Sequence, residues 1–155
     1  MPNNSPPVIE IRMNPPDLLQ RMAKYPKQLD KEMGQTMDDA IKYVWVSVPA
    51  YPPKSPNSRY VRTGTLGRSL GSSGQGGRMG NPDIKQTRRI GQGKYEGRFG
   101  TRLHYAPKVI GANTQLPLFK KLGWFTMKTI QDKATKGVVM LFEKMAQRMV
   151  KFLGG

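Results

Sequence analysis

Cysteine is absent from this chain of 155 residues, and histidine occurs only once. The first absence excludes disulfides, thiolate metal sites and thiol nucleophiles. The single histidine, His104, has only Glu96 as a near neighbour among the carboxylates, and a lone histidine is more often a packed or surface residue than a catalytic base. We therefore expect a protein that is not an enzyme and that uses no cofactor.

Long apolar runs are also missing. No stretch approaches the ~20 consecutive apolar residues that a membrane span needs. The first residues, MPNNSPPVIE, have neither the basic region nor the apolar run of a signal peptide. These features predict a soluble protein that has no membrane partner and is assembled in a cytoplasm.

Acidic residues are scarce, with 10 Asp and Glu against 26 Lys and Arg, which gives a net charge of +16. The excess is uneven: residues 1–58 carry a net +1, residues 59–108 a net +9 and residues 109–155 a net +6. A field of this sign attracts polyanions, whether nucleic acid, an acidic membrane or an acidic protein.

The apolar fraction of 37% is lean, and 13 prolines and 17 glycines indicate extended arms and loops. The length corresponds to one domain, residues 1–155. Within it we expect a flexible N-terminal arm at residues 1–7. The segment GSSGQGGRMGNP, residues 71–82, lacks apolar periodicity and is predicted to be a mobile loop.

Two long helices are predicted from apolar positions that recur every three or four residues. The first follows Pro26, which suits the first turn of a helix. Its stripe consists of Leu29, Met33, Met37, Ile41, Val44 and Val48, widened by Ala40 and Trp45. The stripe of the second consists of Ile130, Ala134, Val138, Leu141, Met145, Met149 and Phe152, broadened by Val139, Phe142 and Leu153.

Strands are predicted at residues 8–13, 84–90 and 95–109, with a hairpin turn at GQG, residues 91–93. In the third strand, alternation places Tyr95, Gly97 and Phe99 on one face and Glu96 and Arg98 on the other. The order of elements predicts an α+β fold in which two long helices pack on one face of a small antiparallel sheet.

Three patterns that suggest chemistry are weak. Asp38 and Asp39 are adjacent on a helix and point about 100° apart, so they form no metal site without a third ligand. Asp83 and Glu96 resemble the acidic signature of metal-dependent nucleases, but the expected lysine is missing. The glycine-rich segment opens into a predicted strand and has no Lys-Ser/Thr pair, so it does not fit a phosphate-binding loop.

The basic residues form the stronger pattern. Lys85, Arg88, Arg89, Arg98 and Arg102 can lie on one exposed sheet face, with aromatic side chains interleaved as in proteins that bind single strands. In a half-buried strand those aromatic side chains face the core, which leaves the arginines to contact phosphates without sequence specificity.

The segment around residue 63 predicts a short helical turn with Thr63 as its N-cap and with Leu66 and Leu70 held in the core. Its pattern Thr63-Gly64-x-Leu66-x-x-Ser69-Leu70 resembles the TG-x-L-x-x-S motif of tailed-bacteriophage tail-completion, minor tail or head–tail joining (neck) proteins. The later segment is similar to the Tyr-Ala-Pro-x-Val strand of that family, through Tyr105, Ala106, Pro107 and Val109.

The resemblance implies a structural virion subunit at the neck or tail, assembled in the bacterial host cytoplasm. Such a subunit forms an oligomeric ring around the DNA channel. It would contact copies of itself, neighbouring connector and tail proteins and, transiently and non-specifically, genomic DNA. The candidate DNA-channel or subunit contacts are Arg62, Arg68, Arg78, Lys85, Arg88, Arg89, Arg98 and Arg102. The alternative is a non-specific nucleic-acid-binding accessory protein.

Overall fold

The first long helix, α1 (Pro26–Val46), organises the fold in this computed structural model, which describes residues 5–13, 20–59, 62–75, 78–91 and 93–154. The predicted apolar stripe of α1 is confirmed. It is buried from Leu29 to Trp45, and Val48 is buried just beyond the end of the helix. One edge of the stripe packs on the sheet, and the other packs on the second long helix.

The second long helix, α5 (Met127–Phe152), begins at a capping box. The Thr126 hydroxyl accepts a hydrogen bond from the backbone N–H of Thr129 at 3.3 Å, which satisfies a donor that the first turn leaves free. Ile130, Ala134, Met145 and Met149 are buried as predicted. The other members of the predicted stripe are not fully buried: Val138, Leu141, Phe142 and Leu153 are half-buried, and Val139 and Phe152 are each 49% exposed.

Three antiparallel strands, β1 (Val8–Met13), β4 (Ile84–Gly91) and β5 (Lys94–Gly100), form a sheet in the order β1-β5-β4. The hairpin predicted between β4 and β5 is confirmed by the pairing of Gly91 with Lys94. Helix α1 contacts β5 and β4, and α5 contacts α1 and β1. The α+β fold, with two long helices and a small antiparallel sheet, is therefore as predicted.

The register of the sheet confirms the predicted faces of β5. Phe99 pairs with Ile9 of β1, and both side chains point into the core beneath α1. Three positions further along, Glu96 pairs with Arg12, and these two side chains lie on the opposite face. Glu96 departs from the expectation of a solvated face, because it is only 3% exposed.

The segment 71–82 is not the irregular loop that we predicted. Strand β2 (Leu70–Ser72) pairs antiparallel with β3 (Arg78–Pro82) to form a second, two-stranded sheet. The pairing joins Leu70 with Pro82 and Ser72 with Arg78, and a register shift separates the two pairs, so no apolar alternation marks the strands in the sequence. Gly76 and Gly77 lie outside the described residues, and the mobility of the segment stays a prediction.

The predicted strand 95–109 is also too long, because β5 ends at Gly100. The Thr101 hydroxyl then accepts a hydrogen bond from the Leu103 N–H at 3.1 Å, and the chain turns into a short helix, α3 (Ala106–Ile110). Pro107 lies in the first turn of α3, where its missing N–H costs nothing. His104 lies in the turn before this helix and not in a strand.

Other predictions concern the remaining connections. The predicted loop 111–117 is followed by a short helix, α4 (Pro117–Lys121). The helical turn predicted after residue 63 is α2 (Thr65–Ser69). Of the predicted N-terminal arm, residues 1–4 lie outside the described part of the chain.

The core has two ends of different composition. One end is built from branched and aromatic side chains, among them Ile41, Trp45 and Phe99, and includes residues of α2, α3 and α5. The other end is rich in methionine; its buried members are Met22, Leu29, Met33, Met37, Tyr95, Met145 and Met149.

Truncating Leu66 tests the first end of the core. Leu66 is 5% exposed, so Leu66→Ala should lower the free energy of unfolding by about 2–5 kcal/mol through lost burial and a residual cavity. Leu118, a leucine of α4 that is 60% exposed, provides the control, and Leu118→Ala should change stability by less than about 0.5 kcal/mol. Urea unfolding of both variants measures the difference, and equal losses would contradict the assignment of Leu66 to the core.

Candidate interface for neighbouring macromolecules

The Thr-Gly-x-Leu segment forms the entry into α2. The prediction of Thr63 as the N-cap is wrong, because the N-cap of α2 is Gly64. Gly64 has a φ of 71°, a left-handed conformation that favours glycine. The Thr63 hydroxyl still contributes, because it accepts a weak hydrogen bond from the Thr65 N–H at 3.4 Å.

The two motif segments, some forty residues apart in the sequence, pack against each other. Leu66 and Leu70 belong to the same buried cluster as Ala106 and Val109 of α3. The Ser69 hydroxyl accepts a hydrogen bond from the Thr101 hydroxyl at 2.7 Å, and both groups are buried. The motif residues Leu66, Ser69, Leu70, Ala106, Pro107 and Val109 are all buried, and Tyr105 is half-buried. The motifs therefore contribute mainly to the core of the domain, and Thr63 is their one exposed residue.

Arg62, one of the eight predicted contacts, fastens the proline-rich connection between α1 and α2, residues 49–59, to the core. Its guanidinium donates to the carbonyl oxygens of Pro52 and Pro53. It also lies 5.3 Å from the centre of the Trp124 ring and 6.0 Å from that of Tyr51, within the range of a cation–π contact. This half-buried side chain has a structural role that its charge in the sequence does not reveal.

A row of charges crosses the outer face of the three-stranded sheet, with Glu96 at its centre. Arg88 of β4 donates to one carboxylate oxygen of Glu96 at 2.6 Å, and Arg12 of β1 lies 3.2 Å from the other. The two arginines flank the nearly fully buried carboxylate. The hydrogen bond from Arg88 lowers the pKa of Glu96, and the charges of Arg88, Arg12 and Arg98 add to that effect.

The next row of the same face is also paired. Arg98 lies 3.4 Å from a carboxylate oxygen of Glu10, whose other oxygen lies 3.1 Å from Arg12. On the other face of β4, Arg89 lies 3.4 Å from Asp30 of α1. Arg88, Arg89 and Arg98 thus each have a carboxylate partner, and this part of the predicted basic surface is largely neutralised.

Arg78 and Lys85 have a different environment. They approach the indole ring of Trp45, with the Arg78 guanidinium carbon 5.1 Å and the Lys85 ammonium nitrogen 5.0 Å from the ring centre. Neither side chain forms an ion pair with any described residue. Sequence reasoning placed Trp45 in the helix stripe but missed this role, because the contact depends on how β3 and β4 lie against α1.

The last two predicted contacts are exposed. Arg68 donates to the Thr63 carbonyl oxygen at 3.0 Å and to the Thr65 hydroxyl at 3.3 Å, so its side chain is held against its own turn. Arg102 is exposed, and its side chain forms no ion pair with a described residue. The eight predicted residues therefore do not form one surface; they divide into paired, tethered and free cations.

An apolar groove lies between the proline-rich connection and α4. Its volume is about 490 Å³, and its apolar wall consists of Leu118, Phe119, Leu122 and Trp124. Leu118 of α4 is 60% exposed, and Leu122, the residue that follows the helix, is 43% exposed. The charged residues in its lining, Lys54 and Arg62, are both basic.

Residues with catalytic potential are not brought together in the described part of the chain. Asp83 accepts hydrogen bonds from the Thr101 hydroxyl and the Arg102 N–H, while Glu96 lies opposite Arg88. Since Arg88 is five positions from Asp83 along the chain, the backbone positions of Asp83 and Arg88 are separated by roughly 16 Å along the strand direction. No three described His, Asp or Glu side chains are placed to hold a metal ion together.

Comparison with known proteins gives no relative: no protein-family model matches this sequence, and neither a curated protein nor a solved structure matches it significantly. Among the described helices, none combines the length and the apolar content that crossing a membrane would require.

The buried Glu96 generates a prediction about pH. A carboxyl group whose pKa is lowered by folding stabilises the protein fully above its unfolded-state pKa, ~4.3, and that contribution is lost as the pH falls through the folded-state pKa. Glu96→Gln should therefore lower the free energy of unfolding at neutral pH, and the deficit should shrink in acid.

Urea unfolding at neutral pH and below the unfolded-state pKa measures this change. Glu143→Gln is the matched control, because Glu143 is an exposed carboxylate of α5 with no ion pair among the described residues. The control should show no such deficit. A deficit for Glu96→Gln that is the same at both pH values would show that its charge is not what stabilises the fold.

Proposed function

We propose that this protein is a structural virion subunit of a tailed bacteriophage, a tail-completion or head–tail joining (neck) protein that forms a ring around the DNA channel. The observation that supports the proposal is the packing of the two motif segments into one buried unit, with Ser69 bonded to Thr101 and Leu66 in the cluster of Val109. The resemblance to the phage family rests on those two segments. The motif residues in them are the ones that hold α2, β5 and α3 together.

The surface of the domain also suits repeated contact with neighbours. Both β1 and β4 are edge strands of the three-stranded sheet, and neither has a further partner among the described residues. Exposed strand edges readily pair with another chain. The groove beside α4 provides a second, apolar surface. Contacts between unlike surfaces of identical copies are heterologous, and such contacts close into rings when the rotation permits.

Electron microscopy and mass measurement of the purified protein at increasing concentration test the proposal. We expect ring-shaped particles of uniform copy number. Leu118→Asp with Leu122→Asp should prevent ring formation without unfolding the domain, because both side chains are exposed. Lys133→Asp with Lys136→Asp, on the exposed side of α5, provides a control of the same size that should leave rings intact.

Immunolabelling of intact virions locates the protein. Copies at the neck or the tail would support the proposal. A protein that is monomeric at every concentration and absent from virions would refute it.

The alternative, a non-specific nucleic-acid-binding accessory protein, is favoured by the cations that have no acidic partner in the described structure, among them Arg78, Lys85 and Arg102. It predicts tight binding to free DNA by a monomer, with log affinity falling steeply as log salt rises. Binding titrations at two salt concentrations, with the oligomeric state measured in parallel, separate the two functions, because a joining subunit needs only weak contact with free DNA.

A further inference from the structure

The arginines on the outer face of the three-stranded sheet are paired with carboxylates, so the cations without an ion pair lie elsewhere. On that face Arg88 and Arg12 flank Glu96, and Arg98 lies beside Glu10. A polyanion that approached there would have to displace intramolecular ion pairs. Two cations that have no ion pair among the described residues, Arg78 of β3 and Lys85 of β4, meet at Trp45.

The indole ring of Trp45 is fixed in place. Its Nε1–H donates to the Gly71 carbonyl oxygen at 2.8 Å, and the side chain is only 5% exposed. Gly71 has a φ of 65°, and a Cβ added there would lie 2.6 Å from the indole nitrogen and 2.9 Å from the backbone nitrogen of Pro82. Only glycine therefore allows β2 to lie this close to the ring.

The ring in turn positions two cations. Because the charged groups of Arg78 and Lys85 lie 5.1 Å and 5.0 Å from the same ring centre, they are no more than about 10 Å apart. The negative face of an indole attracts a cation, which offsets part of the repulsion between the two like charges. The two side chains come from different strands, so the pair exists only in the folded protein.

The carboxylates near Arg78 and Lys85 form no ion pair with either cation among the described residues. Asp83, two residues before Lys85, is engaged by the Thr101 hydroxyl and the Arg102 N–H. Asp38 of α1 lines a shallow groove with Lys85 but forms no ion pair with it. Lys42, in the same groove, pairs with Asp39.

We infer that Arg78 and Lys85, held over Trp45, form a two-point contact for the phosphate backbone of double-stranded DNA. Phosphates along one strand of a duplex rise ~3.4 Å per step, so two cations within about 10 Å of each other can contact phosphates a few steps apart on one strand. Phosphate contacts carry no sequence information, so the site would let DNA of any sequence pass. The inference rests on the proposed function in that the genome is the polyanion.

A purely structural role for the two side chains, in which their aliphatic stems cover the indole, makes a different prediction. The double variant Arg78→Met with Lys85→Met separates the two roles, because methionine keeps an unbranched apolar stem and removes the charge. The variant Arg78→Gln with Lys85→Gln serves as a second test should the first fail to fold. Thermal unfolding of each variant reports whether the domain is intact.

The binding experiment uses the full chain and a fluorescently labelled duplex of mixed sequence, with anisotropy measured between about 50 and about 200 mM salt. Each phosphate contact contributes ~0.9 to the slope of log affinity against log salt. We expect the double variant to fold normally and to reduce the magnitude of that slope by about 1.8. An unchanged slope in a folded variant would overturn the inference.

Lys133→Met with Lys136→Met is the matched control, because it removes two charges from exposed lysines of α5 that have no ion pair among the described residues. The control should retain the wild-type slope. An equal reduction in both double variants would mean that DNA responds only to total charge, and the inference would be wrong.

Polyglutamate, as a second probe, distinguishes an acidic protein partner from DNA. If the Arg78→Met and Lys85→Met variant loses affinity for polyglutamate but keeps its affinity for the duplex, the site binds protein and the inference is overturned.

Ring formation is measured separately. A double variant that loses the DNA contact but still forms rings supports the inference. If the wild-type protein forms no rings and the double variant still reduces the slope as expected, only the proposed function is refuted.

Discussion

Burial of the apolar stripe of α1 is the constraint on which the rest of the structure depends. That one helix packs on β4 and β5 along one edge and on α5 along the other, so sheet and second helix are each held through it. Its last turns supply Ile41 and Trp45 to the cluster that also contains Leu66, Leu70 and Phe99. The elements that carry the candidate contacts, from the sheet arginines to the groove beside α4, pack around this stripe.

Electrostatics divide the basic surface in a way that net charge does not describe. With only 10 acidic residues in the chain, each carboxylate placed among arginines neutralises a large share of the local field. Glu96 does so for Arg88 and Arg12 at the centre of the sheet. Cations without such a partner are therefore the ones available to an external polyanion.

The sequence predicts the elements with regular apolar spacing and misses those that depend on pairing. Both long helices and the β4–β5 hairpin are where periodicity and turn residues place them. Strands β2 and β3 are not visible in the pattern, because both are short and because Gly71, Ser72, Gly80 and Asn81 leave no apolar alternation in them. The strand predicted through His104 ends at Gly100, since Pro107 favours the first turn of a helix over a sheet edge.

Candidate contacts are harder to predict than elements, for a physical reason. Whether an arginine is free depends on which carboxylate the register brings opposite it, and Arg88 and Arg78 look equivalent in the sequence. Only the alignment of β1, β5 and β4 shows that the first faces Glu96. Only the position of β3 against α1 shows that the second faces Trp45. The role of Arg62 as a tether is likewise invisible until Pro52 and Trp124 lie beside it.

The division of the core into two ends implies a gradient of stiffness along the molecule. Methionine is unbranched and adapts its shape, whereas tryptophan and β-branched side chains hold few conformations. The end that contains Met33, Met37 and Met145 can therefore repack at low cost when a neighbour presses on it. The side chains around Trp45 have fewer alternative conformations, so a domain of this design would deform more easily at its methionine-rich end than at the end that contains Trp45.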